Sequence, residues 1–174
     1  MFDARIFPQT LDTARTILEK NGAVLKGDYA ITNKIYKHKT EPLEKVFLRL
    51  RTIPKNIWNE GAIIVSIKNT EIQQVGKQSV VSFKKEFDTE KEAAQFIVEN
   101  YTNDFTFDFE FNCIGWQYFL GDDGVDLEMI EGHPSIEFKS KTQQGLQNLL
   151  AKFGVQDEEV IKGPSVVAAK RLLI

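Results

Sequence analysis

The sequence predicts an α+β fold in which an antiparallel sheet curls into a closed or nearly closed barrel with helices packed outside. Three observations carry that expectation. Many short segments alternate apolar and polar residues with period two, whereas few stretches carry the helical period. Strand, helix and three strands (Phe2 to Lys68) are followed by strand, helix and three strands (Ser79 to Ile130), then by a strand and a helix. So many strands with so few helices favour closure, which leaves no unpaired edge exposed.

Phe2–Phe7 reads as a first strand stopped by Pro8. Thr10 is the expected N-cap of a helix carrying Leu11, Ala14, Ile17 and Leu18 on one face, and Asn21-Gly22 closes it. Strands follow at Tyr29–Tyr36, Lys45–Thr52 and Ala62–Lys68. The polar segment Asn69–Gln78 reads as the one linker-like stretch. Ser79–Lys84 is the next strand, and Asp88 is the expected cap of a helix bearing Ala93, Phe96 and Ile97. Asp104–Asn112 and Ile114–Leu120 read as separate strands. The turn Gly121-Asp122-Asp123-Gly124 leads into Val125–Ile130, and Ser135–Lys139 is the last strand. Thr142 caps a helix with Leu146, Leu149, Leu150 and Phe153 on its face. Gly154 ends it, and Ser165–Ile174 reads as a short closing helix.

Composition narrows the function. With 22 basic and 25 acidic residues among 174, the net charge of −3 argues against a basic nucleic-acid binder or a binder of anionic membrane. Hydrophobic content of 42% and charged content of 27% are globular values, and the 13 Phe supply bulky core area. The single cysteine, Cys113, cannot form an internal disulfide, and no Cys/His cluster suits a structural zinc. The opening Met-Phe-Asp-Ala-Arg lacks a signal-peptide pattern, and no apolar run approaches a membrane span. A soluble cytoplasmic protein is expected.

Alternation then shows what each strand presents. Phe47, Arg49 and Arg51 share one strand face, and forked arginine donors in a row suit an anionic group. Ile64, Ser66 and Lys68 share a face of the next strand; Asp3 lies with Arg5, Asp126 with Glu128, and Glu137 with Lys139. A barrel interior of this kind suits a polyanion with a bridging metal, and the plain alternative is a solvent-facing charged side. Phe105, Phe107, Phe109 and Phe111 form a core stripe, leaving Asp108 and Glu110 either near a ligand or in water. The basic run Asn33–Lys39 reads as a strand entering a solvated loop. His133 falls in a turn, and Cys113 reads as a small buried residue.

Several segments together resemble the CYTH superfamily, the triphosphate-tunnel fold of class IV adenylyl cyclases and thiamine triphosphatases. Phe2-Asp3-Ala4-Arg5-Ile6 and the helix ending Leu18 to Ala23 resemble its opening strand and first helix. Phe47-Leu48-Arg49-Leu50-Arg51-Thr52 is similar to its arginine strand, and Val65-Ser66-Ile67-Lys68 to its lysine strand. Asp88 to Ala94 falls where its second helix starts. Gly124 to Glu128 and Pro134 to Lys139 resemble its late acidic strands, and Thr142–Gly154 its last barrel helix. The resemblance implies one domain over residues 1–174, an eight-stranded antiparallel tunnel binding a nucleotide or other organic triphosphate with Mg²⁺ or Mn²⁺. It assigns Arg5, Arg49, Arg51 and Lys68 to phosphate and Asp3, Glu128 and Glu137 to metal. With the charge balance above, no nucleic-acid or membrane partner is expected, and a homodimer is allowed.

The chain departs from the family pattern at informative places. The opening Glu-x-Glu-x-Lys becomes Met1, Asp3 and Arg5, and the late Glu-x-Glu becomes Glu137 and Lys139. Val81 and Phe83 stand where a middle strand pairs glutamates; Cys113, Gly115 and Gln117 stand where cations are expected. Cations are thus better kept than carboxylates. Two outcomes remain open, a metal-dependent cyclase or triphosphate hydrolase and a degenerate tunnel that binds phosphorylated ligands without turnover. A small-ligand carrier in an unrelated barrel is a third.

Overall fold

β1 (Phe2–Ile6) opens the chain in the computed structural model, which describes residues 1–8, 10–73, 76–156, 159–161 and 163–173. Pro8 precedes α1 (Leu11–Lys20), where the Thr10 hydroxyl accepts from the Thr13 amide. Then come β2 (Val24–His38), β3 (Val46–Ile53), β4 (Ala62–Ile72) and β5 (Lys77–Phe87). After α2 (Glu90–Tyr101) the chain forms β6 (Phe105–Leu120), β7 (Asp123–Ile130) and β8 (His133–Ser140), followed by α3 (Gln143–Lys152) and α4 (Ser165–Leu172). The strands close in the order β1-β5-β4-β3-β2-β6-β7-β8, each antiparallel to its neighbours. The expected antiparallel eight-stranded barrel with helices outside is what the chain builds.

Several boundaries differ from the sequence reading. Asp104–Asn112 and Ile114–Leu120 are one strand, β6, with Cys113 paired to Ile31 inside the ladder. No turn residue at Cys113 interrupts the backbone, so eight strands result and the second strand–helix–three-strand unit runs from β5 to β8. The supposed linker is mostly β4 and β5: Thr70, Glu71 and Ile72 pair with Ser79, Gln78 and Lys77, while Gln74 and Val75 lie outside the described residues. The cap of α2 is Thr89 rather than Asp88. Its hydroxyl accepts from the Glu92 amide while the Glu92 carboxylate accepts from the Thr89 amide, a reciprocal capping box. The basic run Asn33–Lys39 is strand through His38, and Lys34 pairs with Glu90 on α2 at 2.8 Å. Ile174, the end of the expected closing helix, lies outside the described residues.

Two bulges reverse which face a side chain takes. In β6 the partners step from Phe109 to Phe107 as β2 steps from Ile35 to Tyr36, so Asp108 is the extra residue. Phe105 therefore packs outside under α2, Phe109 and Phe111 join an interior cluster, and Phe107 is left 54% exposed. The four-ring stripe is split. In β5, Val81 and Phe83 face Lys68 and Ile67, with Ser82 extra. Val81 thus lines the interior, while Phe83 lies outside, stacked on Phe96 at 5.8 Å.

The core has three parts. Ala14, Leu18, Leu146, Leu149 and Leu150 of α1 and α3 cover the outer faces of β1, β7 and β8. Ala93 and Ile97 of α2 cover Leu48, Leu50 and Val65 of β3 and β4. The third cluster joins Val166, Val167 and Ala169 of α4 to the interior residues Ile35, Phe47, Phe111 and Cys113. That cluster closes one end of the barrel. No helix among the described residues is long and apolar enough to cross a membrane.

Candidate functional site

The open part of the barrel interior is a cavity of about 480 Å³. Strand geometry aims charged groups into it. On β3, Phe47, Arg49 and Arg51 stand in register with Lys68, Ser66 and Ile64 of β4, so alternate residues of both strands face inward. In a closed ring of eight, the strand four places along lies opposite. The arginine strand β3 therefore faces β8, with Glu137 and Lys139, and the lysine strand β4 faces β7, with Asp126 and Glu128. Asp3, Arg5, Arg49, Arg51, Lys68, Glu128 and Glu137, all singled out in the sequence, line this one cavity.

The two walls differ in how their charge is balanced. On the carboxylate side, the Arg5 guanidinium donates to Glu128 at 2.5 Å and to Glu137 at 2.9 Å. Lys139 donates to Asp126 and lies 3.0 Å from Glu137. Lys77 pairs with Asp3 and sits 3.8 Å from Glu137. The Tyr29 hydroxyl donates to Glu128 at 2.6 Å. On the other side, Arg49, Arg51 and Lys68 make no ion pair among the described residues. Arg51 Nε donates to Asn33 at 3.1 Å, and Arg49, only 9% exposed, leaves its Nε without a partner.

Protonation follows from that imbalance. Burial and the neighbouring Arg51 press Arg49 well below the ordinary arginine value. Burial, Arg49 and Arg51 pull Lys68 down to about 7. Burial lowers Lys77 as well. Burial alone would raise Glu137, but Lys139, Arg5 and Lys77 hold its carboxyl well below the usual carboxylate range. Burial would raise Glu128 too, but Arg5, Lys139 and the Tyr29 hydroxyl together lower it, whereas burial raises Asp126.

The carboxylates that converge are Asp126, Glu128 and Glu137, whose oxygens lie within 4.8 Å of one another. Asp3, expected among the metal ligands, is instead engaged by Lys77. Asp126 takes its place in the group, a position the shared face with Glu128 already offered. Three hard oxygens suit Mg²⁺ or Mn²⁺ by type. As arranged they do not fit one, because each already bonds an ammonium or guanidinium and Lys139 bridges Asp126 and Glu137. The sequence reading missed Lys77, which was assigned to a linker. The alternation of Lys77, Ser79 and Val81, which all line the cavity, was the available signal. Of the positions where cations were expected, Gln117 lines the cavity, Cys113 joins the third core cluster and Gly115 makes room for Tyr29.

No family model matches the sequence, and no curated protein matches it. Solved structures do match. A Pyrococcus horikoshii protein superposes with TM-score 0.71 at 12% identity, over 95% of this chain and 95% of that one. A "putative adenylate cyclase" from Vibrio parahaemolyticus gives 0.62 at 14% identity, over 94% and 95%. A chain of the Schizosaccharomyces pombe Mediator head module gives 0.54 at 11%, over 88% and 96%. At these identities the likeness is one of fold, and the fold is the eight-stranded antiparallel tunnel that the resemblance to the CYTH superfamily implied.

Proposed function

We propose that this chain is a single divergent CYTH-like domain whose barrel binds the phosphates of a nucleotide or other organic triphosphate. The observation that carries the reading is the trio Arg49, Arg51 and Lys68, gathered in one cavity with no ion pair to a carboxylate among the described residues. Three like charges in a poorly solvated space repel one another, and a bound polyanion removes that cost. Forked arginine donors and a lysine point charge are the groups that hold phosphate oxygens. Conversion of the triphosphate, by a cyclase-like or hydrolytic route with Mg²⁺ or Mn²⁺, is one extension of that binding. Binding without turnover is the other. The second is favoured by Arg5 and Lys139, which occupy the oxygens a metal would need. The fold likeness to a chain of the Mediator head module is in keeping with a barrel that is not tied to one activity.

Calorimetry with ATP and with inorganic tripolyphosphate tests the reading. Each charge-assisted contact contributes about 1.5–3 kcal/mol, so Arg49→Ala and Arg51→Ala should each weaken binding by about tenfold or more. Equal affinity in the native chain and in a variant carrying both Arg49→Ala and Arg51→Ala would place the anion elsewhere.

A further inference from the structure

The carboxylate wall carries its own countercation. Residues 137 and 139 share the inner face of β8, and Asp126 stands in register with Glu137 across the β7–β8 ladder. The Lys139 ammonium thus falls between these two carboxylates, donating to Asp126 and lying 3.0 Å from Glu137. Its side chain is 29% exposed, so it belongs to the wall rather than to bulk water. Arg5 occupies Glu128 and the remaining side of Glu137. Four acidic groups here (Asp3, Asp126, Glu128, Glu137) meet three cations (Arg5, Lys77, Lys139), leaving a formal −1. A divalent ion added to that set finds each of the three converging carboxylates already ion-paired and most of its charge offset. Asp126 Oδ1 is the one oxygen of these carboxylates left unbonded among the described residues.

The opposite wall is open and carries Arg49, Arg51 and Lys68, a formal +3 once a bound anion holds Lys68 in its charged form. A free triphosphate chain bears about four negative charges near neutral pH, and its Mg²⁺ complex about two. The open wall therefore complements the free anion better than the complex. Resting on the triphosphate reading above, we propose that Lys139 is the resident cation of the carboxylate wall. On that basis the barrel takes the metal-free polyphosphate chain of its ligand.

The test is calorimetry with inorganic tripolyphosphate in EDTA and in saturating Mg²⁺. Direct Mn²⁺ binding by electron paramagnetic resonance runs alongside it, without ligand, on the native chain, Lys139→Met and Lys139→Glu. In the native chain tripolyphosphate should bind in EDTA at least about tenfold more tightly than in Mg²⁺, and Mn²⁺ should stay free in solution. Lys139→Glu should take up one Mn²⁺ per chain, and tripolyphosphate binding should then need the metal. Lys139→Met, which adds no charge to the cluster, should take up Mn²⁺ more weakly. Native binding of tripolyphosphate that requires Mg²⁺, or stoichiometric Mn²⁺ uptake by the native chain, overturns this inference and leaves the triphosphate reading standing. Absence of tripolyphosphate binding in both buffers overturns both.

Discussion

Gly115 shows how a residue's role depends on its partner across the sheet. It pairs with Tyr29 between β6 and β2, and a Cβ there would come within 2.2 Å of the Tyr29 ring. Read along the chain, Gly115 is a missing cation. Read across the ladder, it is the space that lets the Tyr29 hydroxyl reach Glu128. Gly115→Ala should therefore displace Tyr29 and cost about 1–3 kcal/mol, measured as a fall in urea unfolding midpoint with unchanged slope. A silent substitution would show that Tyr29 has another place to go. Lys68 was legible, because its spacing from Ser66 and the neighbouring arginine strand set its face. Its protonation was not, since burial, Arg49 and Arg51 together bring it to about 7. A bound anion favours the charged lysine, so binding should take up a proton and weaken as pH rises through about 7. Lys68→Met should lower affinity for tripolyphosphate and flatten that dependence. A pH profile unchanged in Lys68→Met would assign the titration to another group.

At the scale of elements, the helices were easier to read than the strands. Thr10 and Thr142 cap α1 and α3 as their spacing suggests, each accepting an amide three residues on. The α2 boundary was off by one residue, although Thr89-Glu90-Lys91-Glu92 is itself a capping-box pattern. Thr89→Ala should cost about 1 kcal/mol in chemical unfolding, whereas Asp88→Ala should stay within about 0.5 kcal/mol. Equal effects would mean that the reciprocal Thr89–Glu92 bonds contribute nothing at this helix end. Strand faces fail at the bulges for a definite reason: one extra residue inverts every side chain beyond it, and no single residue type marks it. Asp108 is such a position. The register shift sets Phe109 inside and Phe107 outside, and the Asp108 carboxylate accepts from Lys170 of α4 at 2.5 Å. The same shift in β5 separates Val81 from Phe83, which period-two reading had placed side by side.

In the whole molecule, the two strand–helix–three-strand units contribute charge of opposite sign. β3 and β4 supply Arg49, Arg51 and Lys68, while their counterparts β7 and β8 supply Asp126, Glu128 and Glu137. The sequence contains both sets, but only barrel closure sets them face to face across the cavity. This arrangement has a consequence for stability against pH. Lys68 and Lys77 bind protons less readily in the folded chain than the ordinary lysine value of 10.5 allows. Between about pH 7 and about pH 9 the unfolded chain's lysines hold more protons, so folding stability should rise with pH across this window. Above it the buried Cys113 thiol and Tyr29 hydroxyl, both raised by burial, work in the opposite direction. Lys139 does not oppose the trend within the window: Glu137 and Asp126, outweighing burial, raise it above the ordinary value, so its contribution is lost only at still higher pH. Glu128 and Glu137, held low, contribute stability above the ordinary carboxylate range that disappears as pH falls through their folded values. Tripolyphosphate, by binding the folded chain, adds about 2.7 kcal/mol at a hundred times its Kd and does so best with Lys68 charged. Thermal unfolding from pH 6 to pH 9 should thus show Tm climbing in the free chain and a ligand-induced increment that shrinks over the same interval. A free-chain Tm that falls from pH 7 to pH 9 would show that Lys68 and Lys77 are not depressed in the folded chain and that the raised Cys113 thiol governs this window instead.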